Sequence, residues 1–353
     1  MIWVTWRHHR TTILAAVGSV LLLTVVAALC GLVDRRFDGP TPYGTFFGCG
    51  VPGGGSKGCW AESTLTAISL ITVFLPVLLG LLVGVTVFSR DIERGTHVLG
   101  LSQSVSRARW YWTRVLVVFV PVTAAVTVLG SVLEWTRSAG IAPNLAGGGY
   151  GGYSPLTFPV FQSTGLVAGA YTFLALILGS CAALVLRNTI GAMVVTLVAM
   201  SAVLIGFHVA ARPHYATATV EVRPLDLSNQ FLAYPQDTAN LTSWLLDTGY
   251  VDAEGRAVAI DYSRCATVGS SAGWDQRPEE TFAQYEIRRD ALVVVEQREH
   301  ADCLRAQGAD RFEIRFHPDT LLQRFQLTEA ALALALSVVL FVPSLWALRR
   351  LRP

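Results

Sequence analysis

Six stretches of this sequence contain no Asp, Glu, Lys or Arg: residues 11–33, 63–89, 115–133, 160–186, 189–211 and 330–348. A helix rising 1.5 Å per residue needs about 20 residues to cross the ~30 Å hydrocarbon core of a bilayer. Each stretch reaches or nearly reaches that length. In lipid such a segment has to be helical, because only a helix pairs its own backbone N–H and C=O groups without water. The pattern predicts an all-α polytopic membrane protein with six transmembrane helices, and it excludes a soluble enzyme. Only Arg187 and Asn188 separate the fourth and fifth stretches, which predicts a tight helical hairpin.

Charge divides the rest of the chain. Residues 212–324 hold 12 Arg against 18 Asp and Glu, whereas the remainder holds 15 basic against 7 acidic residues. The expected organisation is therefore an N-terminal interfacial segment with helices one to five over 1–211, a polar insertion over 212–324, and helix six with its tail over 325–353. Lys and Arg in short connections set orientation. With a cytoplasmic N-terminus, the inner segments hold eleven (Arg7, Arg10, Arg90, Arg94, Arg107, Arg109, Arg114, Arg187, Arg349, Arg350, Arg352) and the outer loops four (Arg35, Arg36, Lys57, Arg137). The expected location is the cell membrane, multi-pass, with both termini cytoplasmic and the insertion extracytoplasmic. Tryptophans at the span ends, among them Trp3, Trp6, Trp60, Trp110, Trp135 and Trp346, suit headgroup anchoring. The first apolar run is too long for a signal-peptide core and is expected to be a retained span.

The insertion mixes strand and helix signals and reads as a small α+β domain. Phe312, Ile314 and Phe316 alternate with Arg311, Glu313 and Arg315, a half-buried strand. Residues 250–260 read as a hairpin around Ala253-Glu254-Gly255, and 278–307 as a long helix. Cys49 and Cys59 share the first outer loop, and Cys265 and Cys303 share the insertion. In an oxidising space this predicts two disulfides, each contributing about 2 to 4 kcal/mol by loop closure; the alternative is four free thiols. No cysteine or histidine spacing suggests a metal site.

Enzymatic motifs are weak. The single lysine sits in Gly53-Gly54-Gly55-Ser56-Lys57-Gly58, which is the wrong order for a phosphate-binding loop. ATP hydrolysis would have to reside in another chain, and no catalytic residue or cofactor is expected in this one. Gly269-Ser270-Ser271-Ala272-Gly273, with His300 downstream, matches a nucleophile elbow. The insertion is too small for the doubly wound sheet that motif needs. His8 and His9 diverge on a helix and lack a third ligand. Glu134, Glu329 and His208 lie near outer span ends and read as interface residues. Pro76, Gly80 and Gly84 read as ordinary membrane-helix composition, with a kink or close packing as the alternative. A sparsely charged interior favours a hydrophobic or amphipathic cargo over an ion.

Between helices two and three runs Arg90-Asp91-Ile92-Glu93-Arg94-Gly95-Thr96-His97, followed by Ser104-Val105-Ser106-Arg107-Ala108-Arg109-Trp110. A short charged loop pinned at both ends by membrane helices can carry a push from a cytoplasmic partner into the bundle. The plain alternative is a solvated connector obeying the positive-inside rule. Glu93-Arg94-Gly95-Thr96 and Ser104-Val105-Ser106-Arg107 resemble the Glu-x-Gly-Thr and Pro-Val-Ser-Arg elements of ABC-2 type permease subunits. The match departs at Ser104, where many relatives have Pro. Trp3-Val4-Thr5-Trp6-Arg7-His8-His9-Arg10, His317-Pro318 and Phe325-Gln326-Leu327-Thr328-Glu329 resemble the actinobacterial branch of that family. The resemblance implies a permease subunit of an ATP-driven exporter, working as a homo- or heterodimer with cytoplasmic ATPase subunits that bind ATP and Mg, and with no nucleic-acid partner. It implies a coupling helix over Glu93–Arg107, flanked by Arg90 and Arg109. Glu93 would supply a docking contact, Gly95 a tight turn, Thr96 a helix cap or turn contact, and Arg107 a salt-bridge or phosphate-layer anchor. A competing expectation is a multispan protein whose outer domain binds a ligand or partner without transport.

Overall fold

In the computed structural model residues 2–34, 44–45, 48–49, 57–93, 106–137, 154–225, 243–265 and 275–350 are described. They form a mostly helical protein with six helices long and apolar enough to span a membrane: Thr5–Val33, Ser63–Glu93, Arg107–Thr136, Gly165–Leu186, Thr189–His214 and Asp319–Arg349. In element terms, α1 is Ile2–Asp34, and α2 (Lys57–Leu79) continues into α3 (Thr86–Glu93). The third span joins α4 (Arg107–Arg114) to α5 (Val120–Arg137); the short α6 is Val160–Ser163; α7 is Gly165–Leu186 and α8 Thr189–Gly206. Contacts divide the chain into two units, residues 1–215 with 320–353, and 216–319. Both boundaries fall a few residues inside those expected from charge.

In the first unit α7 is the hub. In its most apolar stretch 83% of the residues are buried, against 22% in the first span and 17% in the equally apolar fifth. The second span meets it through a π-helical turn, Gly80–Val85. A Cβ at Gly80 would stand 2.9 Å from the Ala175 carbonyl oxygen, and one at Gly84 2.9 Å from that of Leu176. These glycines are therefore a close-packing seam, which corrects the reading of ordinary composition. Two further π-turns, Val115–Phe119 and Phe207–Ala211, interrupt the third and fifth spans.

The expected hairpin is built by two local devices. Arg187 takes the left-handed conformation (φ 54°) and its N–H bonds to the Ala183 carbonyl, closing α7. Asn188 then caps α8 by accepting the Gly191 N–H at 2.9 Å. The fourth span departs from expectation. Its apolar run breaks at Thr164 (φ −111°, ψ 157°), leaving α6 as a separate turn before α7. Gly165 follows at φ +59°, where a Cβ would also lie 2.7 Å from the Gln326 side-chain nitrogen; a run of apolar letters does not reveal that requirement.

The second unit carries a four-stranded antiparallel sheet of β3 (Thr219–Arg223), β4 (Trp244–Val251), β5 (Ala257–Val258) and β6 (Arg311–His317), ordered β3-β6-β4-β5. β1 (Gly44–Thr45) and β2 (Gly48–Cys49) form a separate two-stranded ladder elsewhere in the chain. Phe312, Ile314 and Phe316 of β6 are buried as their alternation predicts, but Glu313 between them is buried as well, held by Arg311 and Arg315 on the other face; Tyr250 pairs with Val258 across the predicted hairpin. Two helices join this unit: α9 (Tyr262–Cys265) and α10 (Phe282–Ala306). Thr281 and Gln284 form a reciprocal capping box at the start of α10. Cys265 and Cys303 are disulfide-bonded, tying α9 to α10 over a sequence separation of 38. The side chains of Cys49 and Cys59 lie outside the described residues.

Candidate functional site: the two ends of the bundle

The sixth span ends in α11 (Leu322–Arg349). At the end of the bundle where α1 begins and α11 finishes, side chains satisfy exposed backbone groups of neighbouring helices. A Glu93 carboxylate oxygen accepts the backbone N–H of Thr189 at 2.7 Å. The carboxylate thus sits at the positive N-terminus of α8, where a negative charge is favoured. Arg107 donates to the Arg349 carbonyl at 2.7 Å and Arg187 to the Arg350 carbonyl at 3.3 Å, so two arginines close the C-terminal end of α11. Ser106 begins α4 by accepting the Arg109 N–H at 3.3 Å. The Arg90 and Arg109 side chains are exposed. Gly95 and Thr96 lie outside the described residues, as does the Gly269–Gly273 motif. Glu93 and Arg107 are thus brought to one end of the bundle, each bonded to a different span.

Beneath these contacts is an ion pair that sequence reasoning read only as positive-inside charge. Arg114 pairs with Asp91, donates to the Val87 carbonyl at 2.6 Å, and lies 4.1 Å from the centre of the Trp110 ring. His8 stands 3.9 Å from the other Asp91 oxygen. Phe88 packs on Tyr111 and Trp110 at ring distances of 5.2 and 5.5 Å, anchoring the second span to the third.

The opposite end holds a more deeply buried pair. Arg212 donates from Nε to Glu329 at 2.9 Å and from Nη2 at 2.6 Å, and neither side chain has any exposed surface. The Tyr171 hydroxyl donates to the same carboxylate. Arg212 Nη1 reaches the Leu156 carbonyl at 3.2 Å and His208 Nδ1 at 3.1 Å. Arginine only donates, so His208 accepts through Nδ1. The guanidinium also lies 3.9 Å from the centre of the Phe161 ring. One bidentate bridge therefore joins the fifth span to the sixth, with Tyr171 bringing in the fourth. This corrects the reading of Glu329 and His208 as interface residues: Glu329 turns inward, where a buried carboxylate requires a partner. The only hints in the sequence were a glutamate at a span end and an arginine just past another. No group of three or more His, Cys, Asp or Glu able to hold a metal occurs among the described residues.

No curated protein and no solved structure matches the chain. Residues 57–212 match the family described as ABC-2 membrane transporter related, a stretch running from the start of α2 to Arg212 itself. Together with six membrane-length apolar helices, that match supports a multi-pass membrane permease, similar over that stretch to ABC-2 membrane transporters.

Proposed function

We propose that this chain is the membrane-spanning subunit of an ATP-driven exporter, powered by a separate ATPase chain that holds the ATP and Mg. Its two copies, or this chain and a related one, would form the path. Both termini would be cytoplasmic and the 216–319 unit extracytoplasmic, as the arginine bias favours. The branch-level assignment rests on the terminal motifs alone.

The observation that carries this reading is the Glu93–Thr189 hydrogen bond. The segment between Glu93 and Arg107 connects spans two and three, yet at its first residue it holds the start of span five, and at its last the end of span six. A displacement of that segment by a docked ATPase would be delivered to four spans together. At the far end the fifth and sixth spans are clasped by Arg212 and Glu329, so a relative movement of these spans has to load or release that clasp.

The test is co-purification, in detergent, of the chain with any ATPase encoded beside it, comparing ATP hydrolysis and export for wild type and Arg107→Glu. The expected result is a wild-type complex whose export is lost in Arg107→Glu while folding and membrane insertion are kept. Export undiminished in the variant would remove Arg107 from the coupling. The absence of any associated ATPase would remove the exporter reading and favour a ligand-binding role for the 216–319 unit.

A further inference from the structure

A cavity of about 340 Å³ opens between the second and fifth spans. That size falls within the range of small-molecule sites, about 300–1,000 Å³. Its walls include Phe74, Phe158 and Leu197, and its polar residues are Gln162, Ser201 and His208. Among the described residues, no Asp, Glu, Lys or Arg lines it. Phe74 and Leu197 also face outward, being 58% and 46% exposed, so the cavity is entered from the side of the bundle. In a membrane that side is hydrocarbon.

Gln162 is the informative residue. It is 4% exposed, and its side-chain carbonyl oxygen has no hydrogen-bond partner in the protein. A buried acceptor left unpaired is costly, and a molecule bringing a donor recovers that cost. Close by, Arg212 and Glu329 neutralise one another. Gln162 Oε1 is closed to solvent in this conformation, and a rotation of the side-chain amide toward the cavity would give it an acceptor without a net charge, in a wall that is otherwise mostly apolar. We infer that this cavity binds a neutral amphiphile, an alkyl chain ending in a hydroxyl or amide N–H that donates to Gln162. That such a molecule is the exported cargo rests on the permease reading; that it binds here does not.

The experiment is photolabelling of the purified full-length chain in nanodiscs with a diazirine-bearing long-chain alcohol. Its methyl ether and the corresponding carboxylate serve as comparison probes. The alcohol should label peptides around 73–77, 158–162 and 197–208, with an apparent affinity about tenfold above the ether, the ratio one hydrogen bond to a buried acceptor gives. The carboxylate should bind more weakly than the alcohol. Gln162→Met, close in volume, should bring alcohol and ether to equal affinity without abolishing labelling. Leu197→Trp, which fills the cavity, should abolish labelling by both. Equal labelling of wild type by alcohol and ether, or labelling elsewhere on the chain, overturns the proposal. None of these readouts needs an ATPase. Whether the alcohol also stimulates the ATPase of the co-purified complex tests the exporter reading separately.

Discussion

Arg114 and Arg212 each hold a carboxylate near one end of the bundle, but in different surroundings. The Arg114 and Asp91 side chains keep 10% and 14% of their surface exposed, and the Asp91 carboxylate also faces His8. The Arg212–Glu329 pair keeps none, and Tyr171, Leu156 and His208 add further hydrogen bonds to it. Their connectivity differs too. Arg114 and Asp91 join spans two and three, which the intervening chain already joins, whereas Arg212 and Glu329 join elements 117 residues apart. The first pair trims a local connection; the second closes the bundle.

The largest effect is expected from breaking the second pair on one side only. Glu329→Gln or Arg212→Met leaves a buried charge unpaired and should cost about 3–5 kcal/mol, read as a lowered thermal midpoint in detergent. Replacing both by Met should recover most of that loss, because hydrophobic replacement of a whole buried pair is often neutral or better. If the double variant is stable yet does not transport, the pair acts in the transport cycle. If it is stable and transports normally, the pair serves only to hold the fold.

A smaller effect should follow Asp91→Asn. The amide keeps the shape and a hydrogen bond to Arg114, and Arg114 retains the Val87 carbonyl and the Trp110 ring. About 1–3 kcal/mol is the expected cost, measured in the same melt. A loss as large as that of Glu329→Gln would erase the distinction between the two ends.

This contrast was only partly legible in the sequence. The spans were, because hydrocarbon thickness imposes a length and an absence of charge that can be counted along the chain. So were the turn at Arg187-Asn188, the buried Phe312, Ile314 and Phe316 of β6 and a long helix within 278–307, all patterns local to the chain. The Arg212–Glu329 pair was not, because nothing local distinguishes a glutamate facing headgroups from one turned into the bundle. Arg212 also lies just beyond an apolar stretch, where charge counting assigns it to the insertion. The break at Thr164 was hidden for a related reason: Gly165 takes a positive φ, and the Glu134 and Gln326 side chains from two other spans pack against it. Tertiary contacts decided each of these.

A third arginine–carboxylate pair, outside the bundle, sharpens the comparison. In the 216–319 unit Arg288 donates two hydrogen bonds to Glu280, at 2.7 Å each, and also reaches the Asp275 carbonyl at 2.9 Å. This bridge holds the chain entering α10 against the helix. The hydrogen bonds from Arg288, with help from the nearby Arg277, pull the Glu280 carboxyl from its ordinary 4.5 down to about 2. A carboxyl depressed in the folded state stabilises the fold above its unfolded value and loses that contribution as pH falls through the folded one. The stability contributed by Glu280 should therefore be whole above pH 4.5 and decline between about 4.5 and 2. Hydrogen exchange of the 282–306 amides in the full-length protein, corrected for intrinsic rates, should show protection falling over that window. In Glu280→Gln the same amides should start less protected at pH 6, and the part of the acid-induced loss due to this carboxyl should disappear. An identical pH profile in variant and wild type would mean that the bridge contributes nothing measurable to the start of α10.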